Sequence, residues 1–377
     1  MKSVSSQATP KRFRLGTHRT CAPEETWERI AGLLPRAGVT RIADLTRLDR
    51  IGIPVYQAVR PASRNLAVSQ GKGATAAAAR VSAAMEALEI WHAECLDGLR
   101  RTRLSLREMR SANSIPLSGL RWQPGVRTFD AAPIDWVAAE PLGRGKVPAA
   151  WLPLQMVELD FRLPRVFEPR MFLKTSSGLA SGNCREEALL HGLCELVERQ
   201  GLARFLRDRG AAVAIDPGPM DLIDRCRDAG ARLAFWDATW EAGIPVVVAE
   251  LVLPDLPTAW RGSGCHPSPE VALSRALTEA AQSRLTYISG ARDDLVFEAD
   301  PGPPDRAWER FVEPEGQRGL DSLPDLSTDD VESDLDQVLE NLERLGLAAW
   351  FVDLTREGVG IPVVYTYVPG LEEPPHD

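Results

Sequence analysis

An α/β fold, with mostly antiparallel sheets packed against long helices, is predicted by two interlocking internal repeats. The first is a helical octad: SAAMEALE at 82–89, HGLCELVE at 191–198 and RALTEAAQ at 275–282. Each carries glutamate at its fifth position and Glu or Gln at its eighth, with an alanine three residues upstream (Ala79, Ala188, Ala272). Each also follows a stretch rich in small residues: SQGKG, SSGLASGN and GSGCHPSP. The second repeat is DLTRLDRIGIPVYQAVRP at 44–61, DATWEAGIPVVVAELVLP at 237–254 and DLTREGVGIPVVYTYVPG at 353–370. Asp, Thr, then Gly-Ile-Pro-Val and a β-branched run read as a strand, a tight turn and a second strand. Self-similarity of this kind decides architecture before local detail does. The irregular spacing makes these pseudo-repeats of hairpin, Gly-rich loop and helix within one domain, not a solenoid.

Taken in order, residues 1–15 read as a flexible tail and 16–377 as a single domain. Helical periodicity runs over 24–35, and the first hairpin spans 40–61. In 69–98 the Gly71-Lys72-Gly73 turn enters an alanine-rich segment free of proline and internal glycine. Alanine costs a helix least, so a helix of about six turns is expected there. Prolines block long helices over 105–147, and 147–159 looks strand-like. The second octad helix is expected over 185–207, then a helix and strand up to the second hairpin. The third octad helix ends near Ile288. Pro301, Pro303, Pro304, Pro314 and Pro324 make 299–327 the best connecting segment. An amphipathic helix over 329–346, acidic in its first turns as the helix dipole favours, precedes the third hairpin.

Composition narrows the function classes. A chain of 377 residues buries a large core, and 44% hydrophobic with 26% charged content is ordinary for a globular protein. A net charge of −9 argues against a general nucleic-acid binder, and no apolar stretch reaches the roughly 20 residues of a membrane span. The N-terminus has basic residues without the apolar core of a secretory signal. Six cysteines form no Cys-x-x-Cys pair and read as reduced thiols, so a cytoplasmic location is expected.

Within the octads the informative positions are i, i+4 and i+7: Ser82, Glu86 and Glu89, then His191, Glu195 and Glu198, then Arg275, Glu279 and Gln282. At about 100° per residue they share a narrow stripe. Buried carboxylates about 4 Å apart repel by roughly 4 kcal/mol even at an effective dielectric near 20. Protonation, arginine partners or a divalent cation relieves that. Magnesium prefers few carboxylates plus phosphate oxygens, so Glu86, Glu89, Glu195 and Glu198 are the candidate ligands. Taken singly, each pair reads as a solvated helix face; its recurrence on three helices favours a site. Lys72 resembles a phosphate-binding lysine, although Gly-Lys-Gly is not a P-loop. Arg199 and Arg284 stand close enough to the octads to reach phosphates, or equally to make structural ion pairs. His191 reads as packed or catalytic on equal terms.

GKGATAAAARVSAAMEALE, SSGLASGNCREEALLHGLCELVER and RALTEAAQSR together resemble the YcaO family. The resemblance covers roughly 40–295 and the VVYTYVPGLE stretch. It implies a YcaO-like fold, and ATP and Mg2+ as cofactors held by the octad glutamates. It also implies phosphorylation of a peptide-backbone amide oxygen, which a nucleophile then displaces. Carried over residue by residue, it nominates Ser82, Glu86 and Glu89, then Asn183, Glu187, Glu195, Glu198 and Arg199. From the third octad it nominates Arg275, Glu279, Gln282 and Arg284, with Lys72 from the Gly-Lys-Gly turn. Azoline-forming members commonly end in Pro-x-Pro-x-Pro, whereas this chain ends LEEPPHD. RIADLTRLDRIGIPVYQAVRP and AAQSRLTYISGARDD look like the branch that works with a TfuA-type partner and installs thioamides. The expected partners are therefore a peptide or protein substrate, a TfuA-like protein and a sulfur donor, with a homodimer left open. Azoline or amidine formation, and a non-catalytic accessory role, are the rival readings.

Overall fold

The computed structural model describes residues 9–143, 148–162, 169–292, 303–316 and 318–375. The first half runs α1 (Pro23–Ile30), β1 (Arg41–Asp44), β2 (Val55–Val59), β3 (Val68–Lys72), α2 (Ala76–Ala93), β4 (Arg101–Ser105) and α3 (Leu106–Ala112). It continues through β5 (Pro133–Leu142), β6 (Ala150–Pro153), α4 (Leu154–Val157), β7 (Leu179–Ser181) and α5 (Arg185–Arg207). The second half holds β8 (Val213–Asp216), α6 (Asp221–Asp228), β9 (Arg232–Asp237), β10 (Val246–Val252), β11 (Trp260–Cys265) and α7 (Pro269–Ser289). It ends with α8 (Arg306–Arg310), β12 (Arg318–Gly319), α9 (Val331–Arg344), β13 (Ala349–Asp353) and β14 (Val363–Tyr367).

These strands form three sheets, ordered β1-β2-β3, β11-β10-β9-β8-β12 and β4-β5-β13-β14-β7, with β6 on β5. All pairings are antiparallel except the short β8–β12 contact. The repeats account for this layout. In each hairpin the Asp closing the first strand accepts the N–H of the Thr two residues on: Asp44 from Thr46 at 2.9 Å, Asp237 from Thr239 at 2.8 Å, Asp353 from Thr355 at 2.9 Å. The three Thr hydroxyls then accept the N–H that opens the second strand, from Val55, Val246 and Val363. Side chain to backbone bonds of this kind hold a chain reversal without regular structure. The expected tight turns are thus replaced by longer connections, over 45–54, 238–245 and 354–362.

The stretches read as Gly-rich loops are corrected in part: each supplies a third strand, β3, β7 and β11, before the helix begins. Glycine is needed because strand and helix touch backbone to backbone. A Cβ on Gly71 would lie 1.9 Å from the Ala83 nitrogen, and one on Gly262 2.3 Å from the Ala276 oxygen. Each unit is therefore three strands and a helix, with α2 on β2 and β3, α7 on β10 and β11, and α5 on β14 and β7. In the third unit the chain order is permuted, since β7 and α5 precede β13 and β14.

The units also engage in a closed cycle: α2 touches β7, α5 touches β11, and α7 touches β3. Among the described residues three large apolar cores fill the spaces between helices and sheets, built around α2, α5 with α9, and α7, with a small fourth of Leu45, Val55 and Leu285. Among the expected tail, residues 1–8 lie outside the described set, while residues 9–15 are anchored. Lys11 forms a fully buried ion pair with Asp334 and donates to the Thr328 carbonyl at 2.7 Å, and Phe13 bridges to Arg19. Of the proline-rich connection, the described part includes the short α8 and β12. The strand-like segment at 147–159 is β6 followed by one turn of helix.

Candidate functional site

Because the three octad helices have equal spacing and sit in a cycle, their polar stripes converge. Ser82, Glu86, Glu89, His191, Glu195, Glu198, Arg275, Glu279 and Gln282 all line one cavity of about 1110 Å3. Lys72, Asn183, Glu187 and Arg199 line it too. That volume exceeds the roughly 300–1,000 Å3 of small-molecule pockets, leaving room beyond one ligand.

The last glutamate of an octad is held by the neighbouring unit's strand. Glu89 Oε1 accepts from the Ser181 backbone N–H at 2.9 Å and from its hydroxyl at 2.6 Å. Glu198 accepts from the Ser263 hydroxyl at 2.8 Å and the Cys265 N–H at 3.0 Å. Glu195 accepts the Gly178 N–H at 3.0 Å and faces Arg199 at 3.5 Å. Glu187 caps the loop before α5, accepting from Asn183 N–H at 2.9 Å and its side-chain amide at 3.0 Å, and from Thr20 N–H. Lys72 is ion-paired with Glu279 across the β3–α7 contact.

Protonation follows burial and neighbours. Burial pushes the Glu86 carboxyl up to about 7 and that of Glu89 up to about 8, and it raises Glu195 as well. For Glu279 burial is outweighed by Lys72, Arg199 and Arg275, and its pKa falls below the ordinary value. His191 is neutral: burial first, then Arg275, Arg19 and Lys72, depress it well below the usual histidine range. It accepts a hydrogen bond from Arg275 at 3.0 Å while lining the cavity.

Arg284 is the one nominee outside the cavity, which corrects its reading as a phosphate contact. It lies two residues beyond Gln282, about 200° around the helix, and faces away. There it is 1% exposed and bound to Asp49 at 2.9 and 3.1 Å and to Asp255 at 2.7 Å.

Several lining residues carry no repeat signal. Gln70 precedes Lys72 on β3, and Arg19 reaches the cavity from the N-terminal segment, beside Glu187. Glu373 enters from the C-terminal segment, paired with Arg121 at 3.0 Å and accepting from the Ser177 hydroxyl at 2.8 Å. A second group, His18, His266 and Asp334, also lies close together. Its carboxylate already binds Lys11 and Thr328, and His266 Nδ1 accepts the Ser268 N–H, so it is a poor cation site.

The cavity suits a polyanion with divalent cations. Arg199 and Arg275 line it beside Lys72, so three cationic side chains border the space a polyanion would fill. Burial first, and neighbouring carboxylates after it, keep Glu86, Glu89 and Glu195 from ionising readily, a cost that a cation would relieve.

Comparison with known proteins agrees. The family model described as YcaO cyclodehydratase, ATP- and Mg2+-binding, matches residues 70–372. An uncharacterized protein of Methanothermobacter thermautotrophicus is 39% identical over 375 residues, covering 93% of this chain and 94% of its own. An uncharacterized protein from the tfuA 3′ region of Rhizobium leguminosarum bv. trifolii is 40% identical over 297 residues, 74% of this chain and 69% of its own. The structure of YcaO from Methanopyrus kandleri bound with AMPPCP and Mg2+ superposes with a TM-score of 0.74 at 27% identity, covering 97% and 95% of the two chains. A heterocyclase in complex with substrate and cofactor shares the fold, with a TM-score of 0.78 at 23% identity. The match takes in 97% of this chain and 54% of that one, so the chain spans about half the heterocyclase's length. The chain belongs to the YcaO family, whose members are ATP- and Mg2+-binding.

Proposed function

Starting from that membership, we propose that the protein uses ATP and Mg2+ to phosphorylate a peptide-backbone amide oxygen, and that the product is a thioamide. The observation that carries the proposal is the convergence of three octad stripes, with Lys72 and Arg199 beside them, on one cavity. In this reading Glu86, Glu89, Glu195 and Glu198 hold the metal, which supplies charge neutralisation between phosphate oxygens. Lys72, Arg199 and Arg275 contact phosphates, Ser82, Asn183 and Gln282 supply hydrogen bonds, and Glu187 and Glu279 fix Asn183 and Lys72. An amide is a poor electrophile with a poor leaving group. Transfer of a phosphoryl group to its oxygen, with release of ADP, corrects both faults. Such transfer needs positioning and charge neutralisation more than a covalent protein nucleophile. Hydrosulfide then adds to the amide carbon, and inorganic phosphate departs carrying the original oxygen. The relative from a tfuA region supports a TfuA-like partner for delivery of the sulfur donor or substrate.

The test is incubation of the protein, ATP, Mg2+, sulfide and a candidate peptide, with and without a TfuA-like protein, read by mass spectrometry. Thioamidation exchanges oxygen for sulfur and gains their mass difference; cyclodehydration loses one water and would replace the thioamide reading by an azoline one. No ATP consumption under any condition, with no nucleotide binding by calorimetry, refutes the enzymatic reading.

A further inference from the structure

Strand β4 forms one edge of its sheet, pairing with β5 in a continuous register from Arg101 opposite Val137 to Ser105 opposite Pro133. The Ala138 N–H donates to the Arg100 carbonyl at 3.0 Å, which extends that register and sets its parity. Arg100, Thr102 and Leu104 therefore turn their backbone groups to β5, while Arg101, Arg103 and Ser105 turn theirs outward. The Ser105 N–H is taken by the Glu108 carboxylate at 2.8 Å, which stops the run. The N–H and C=O groups of Arg101 and Arg103 take no hydrogen bond among the described residues, and both residues are exposed. Open backbone donors and acceptors in alternation are what an added strand pairs with. The charge around this edge is the reverse of the whole chain's. Against a net charge of −9, residues 100–110 hold five arginines, all exposed, and one glutamate. Arg103 and Arg110 are paired with Asp135 and Asp130 at 3.1 and 3.2 Å, and Arg100 stacks on Trp151. Arg101 and Arg107 have no ion pair among the described residues. The edge also lies near the cavity: Glu158 feels the charge of both Arg101 and Lys174, and Lys174 lines the cavity together with Leu159.

We infer that the outer edge of β4 docks an extended acidic segment of the peptide substrate as an additional strand, at a stretch outside the one that reacts. Directly opposite residues of an antiparallel pair carry their side chains on one face, so carboxylates at alternate positions meet Arg101 and Arg103. The two outward residues stand about 7 Å apart, and a segment of about five residues spans them. A second copy of β4 would set arginine against arginine, which opposes edge-to-edge pairing of this chain with itself. The net negative charge opposes a nucleic acid there. Nearness to the cavity favours the substrate as the source, since one chain can then occupy both places. The source rests on the proposed function; the edge and the chemistry it takes do not.

The test uses the full chain without nucleotide and a fluorescein-labelled probe, Glu-Val-Glu-Val-Glu with blocked ends, followed by anisotropy. Saturable binding that weakens with added salt is expected. Probe binding should also slow amide hydrogen exchange at Arg101 and Arg103 and leave Thr102 and Leu104 unchanged. At least a ten-fold weakening is expected when one alternate set of probe amides is N-methylated, with little change for the other set. Arg101→Glu should weaken the probe at least ten-fold and favour Lys-Val-Lys-Val-Lys instead, with its melting point as the folding control. No saturable binding, no protection at Arg101 and Arg103, or equal loss for both methylated sets overturns strand addition. So does a single-stranded DNA of equal charge that binds as tightly as the probe. For the source, Arg101→Glu is compared with wild type on a peptide that the protein modifies. A rise in KM of about ten-fold, larger than any fall in kcat, is expected. An unchanged KM with lost probe binding overturns the substrate assignment in favour of a partner protein's segment. Probe binding needs no turnover, so its loss and the loss of amide activation are separate results.

Discussion

Replacing Gly71 by alanine tests whether the helices are held by backbone contact with their strands. The new Cβ would stand 1.9 Å from the Ala83 nitrogen, 2.4 Å from the Ala79 oxygen and 2.6 Å from the Ser82 carbonyl carbon. Ordinary contact begins at 3.4 Å. Strand β3 and helix α2 must then part by about 1.5 Å, since every atom met is backbone and none can rotate away. Overpacking a rigid core costs about 1–3 kcal/mol, and the upper end applies here. At about 2–4 °C per kcal/mol for domains of 150–250 residues, and less for longer chains, the melting temperature should fall by about 5–10 °C. The same movement shifts Lys72 against Ser82 and Glu86, and a misplacement near 1 Å costs about 10²-fold in rate. Gly32→Ala is the control: a Cβ there meets nothing within 4 Å, and the change is expected to be neutral or to stabilise by up to about 1 kcal/mol. Thermal unfolding by circular dichroism and ATP turnover with peptide are the readouts. Gly71→Ala with the stability and activity of Gly32→Ala would refute the close-contact architecture.

Three further outcomes are expected. Glu86 and Glu89 hold protons in the folded protein up to about pH 7 and pH 8 but ionise near 4.5 when unfolded. The folded state therefore binds more protons across that window, and the metal-free protein loses stability as pH rises through it. Mg2+ with nucleotide should reverse the trend with proton release, measurable by calorimetry in buffers of different ionisation enthalpy; affinity that does not rise with pH contradicts the assignment. Arg199→Met should weaken nucleotide binding about ten-fold or more, since charge-assisted bonds contribute roughly 1.5–3 kcal/mol, while binding of Mg2+ alone is not weakened. Lys11→Met should destabilise by about 3–5 kcal/mol because Asp334 is left buried without its counter-ion, and Lys11→Met with Asp334→Leu should recover much of that in urea unfolding.

Much of the site was legible because the helical period is a local property. The i, i+4, i+7 spacing puts Ser82, Glu86 and Glu89 on one stripe, and the recurrence of that spacing twice more marks the stripe as a candidate site. The same period argued against Arg284, which stands off the stripe of Arg275, Glu279 and Gln282; proximity in sequence outweighed angle in that nomination. Glycine in SQGKG and GSGCHPSP suggests loops. Gly71, Gly262 and Gly264 are instead in strands that lie against a helix, where the missing Cβ is a spacing requirement. Composition does not separate these two uses of glycine.

Local pattern alone determined the octad helices, the Asp-x-Thr hairpins and the identity of the clustered acids, since each depends on residues a few positions apart. Tertiary structure decided the permuted third unit, which joins β7 and α5 to β13 and β14 across about half of the chain's length. It also decided the protonation of Glu86 and Glu89, and the arrival of Arg19 and Glu373 from opposite ends of the sequence. Strand pairing and electric fields act through space between segments that share no periodicity, so no local spacing records them.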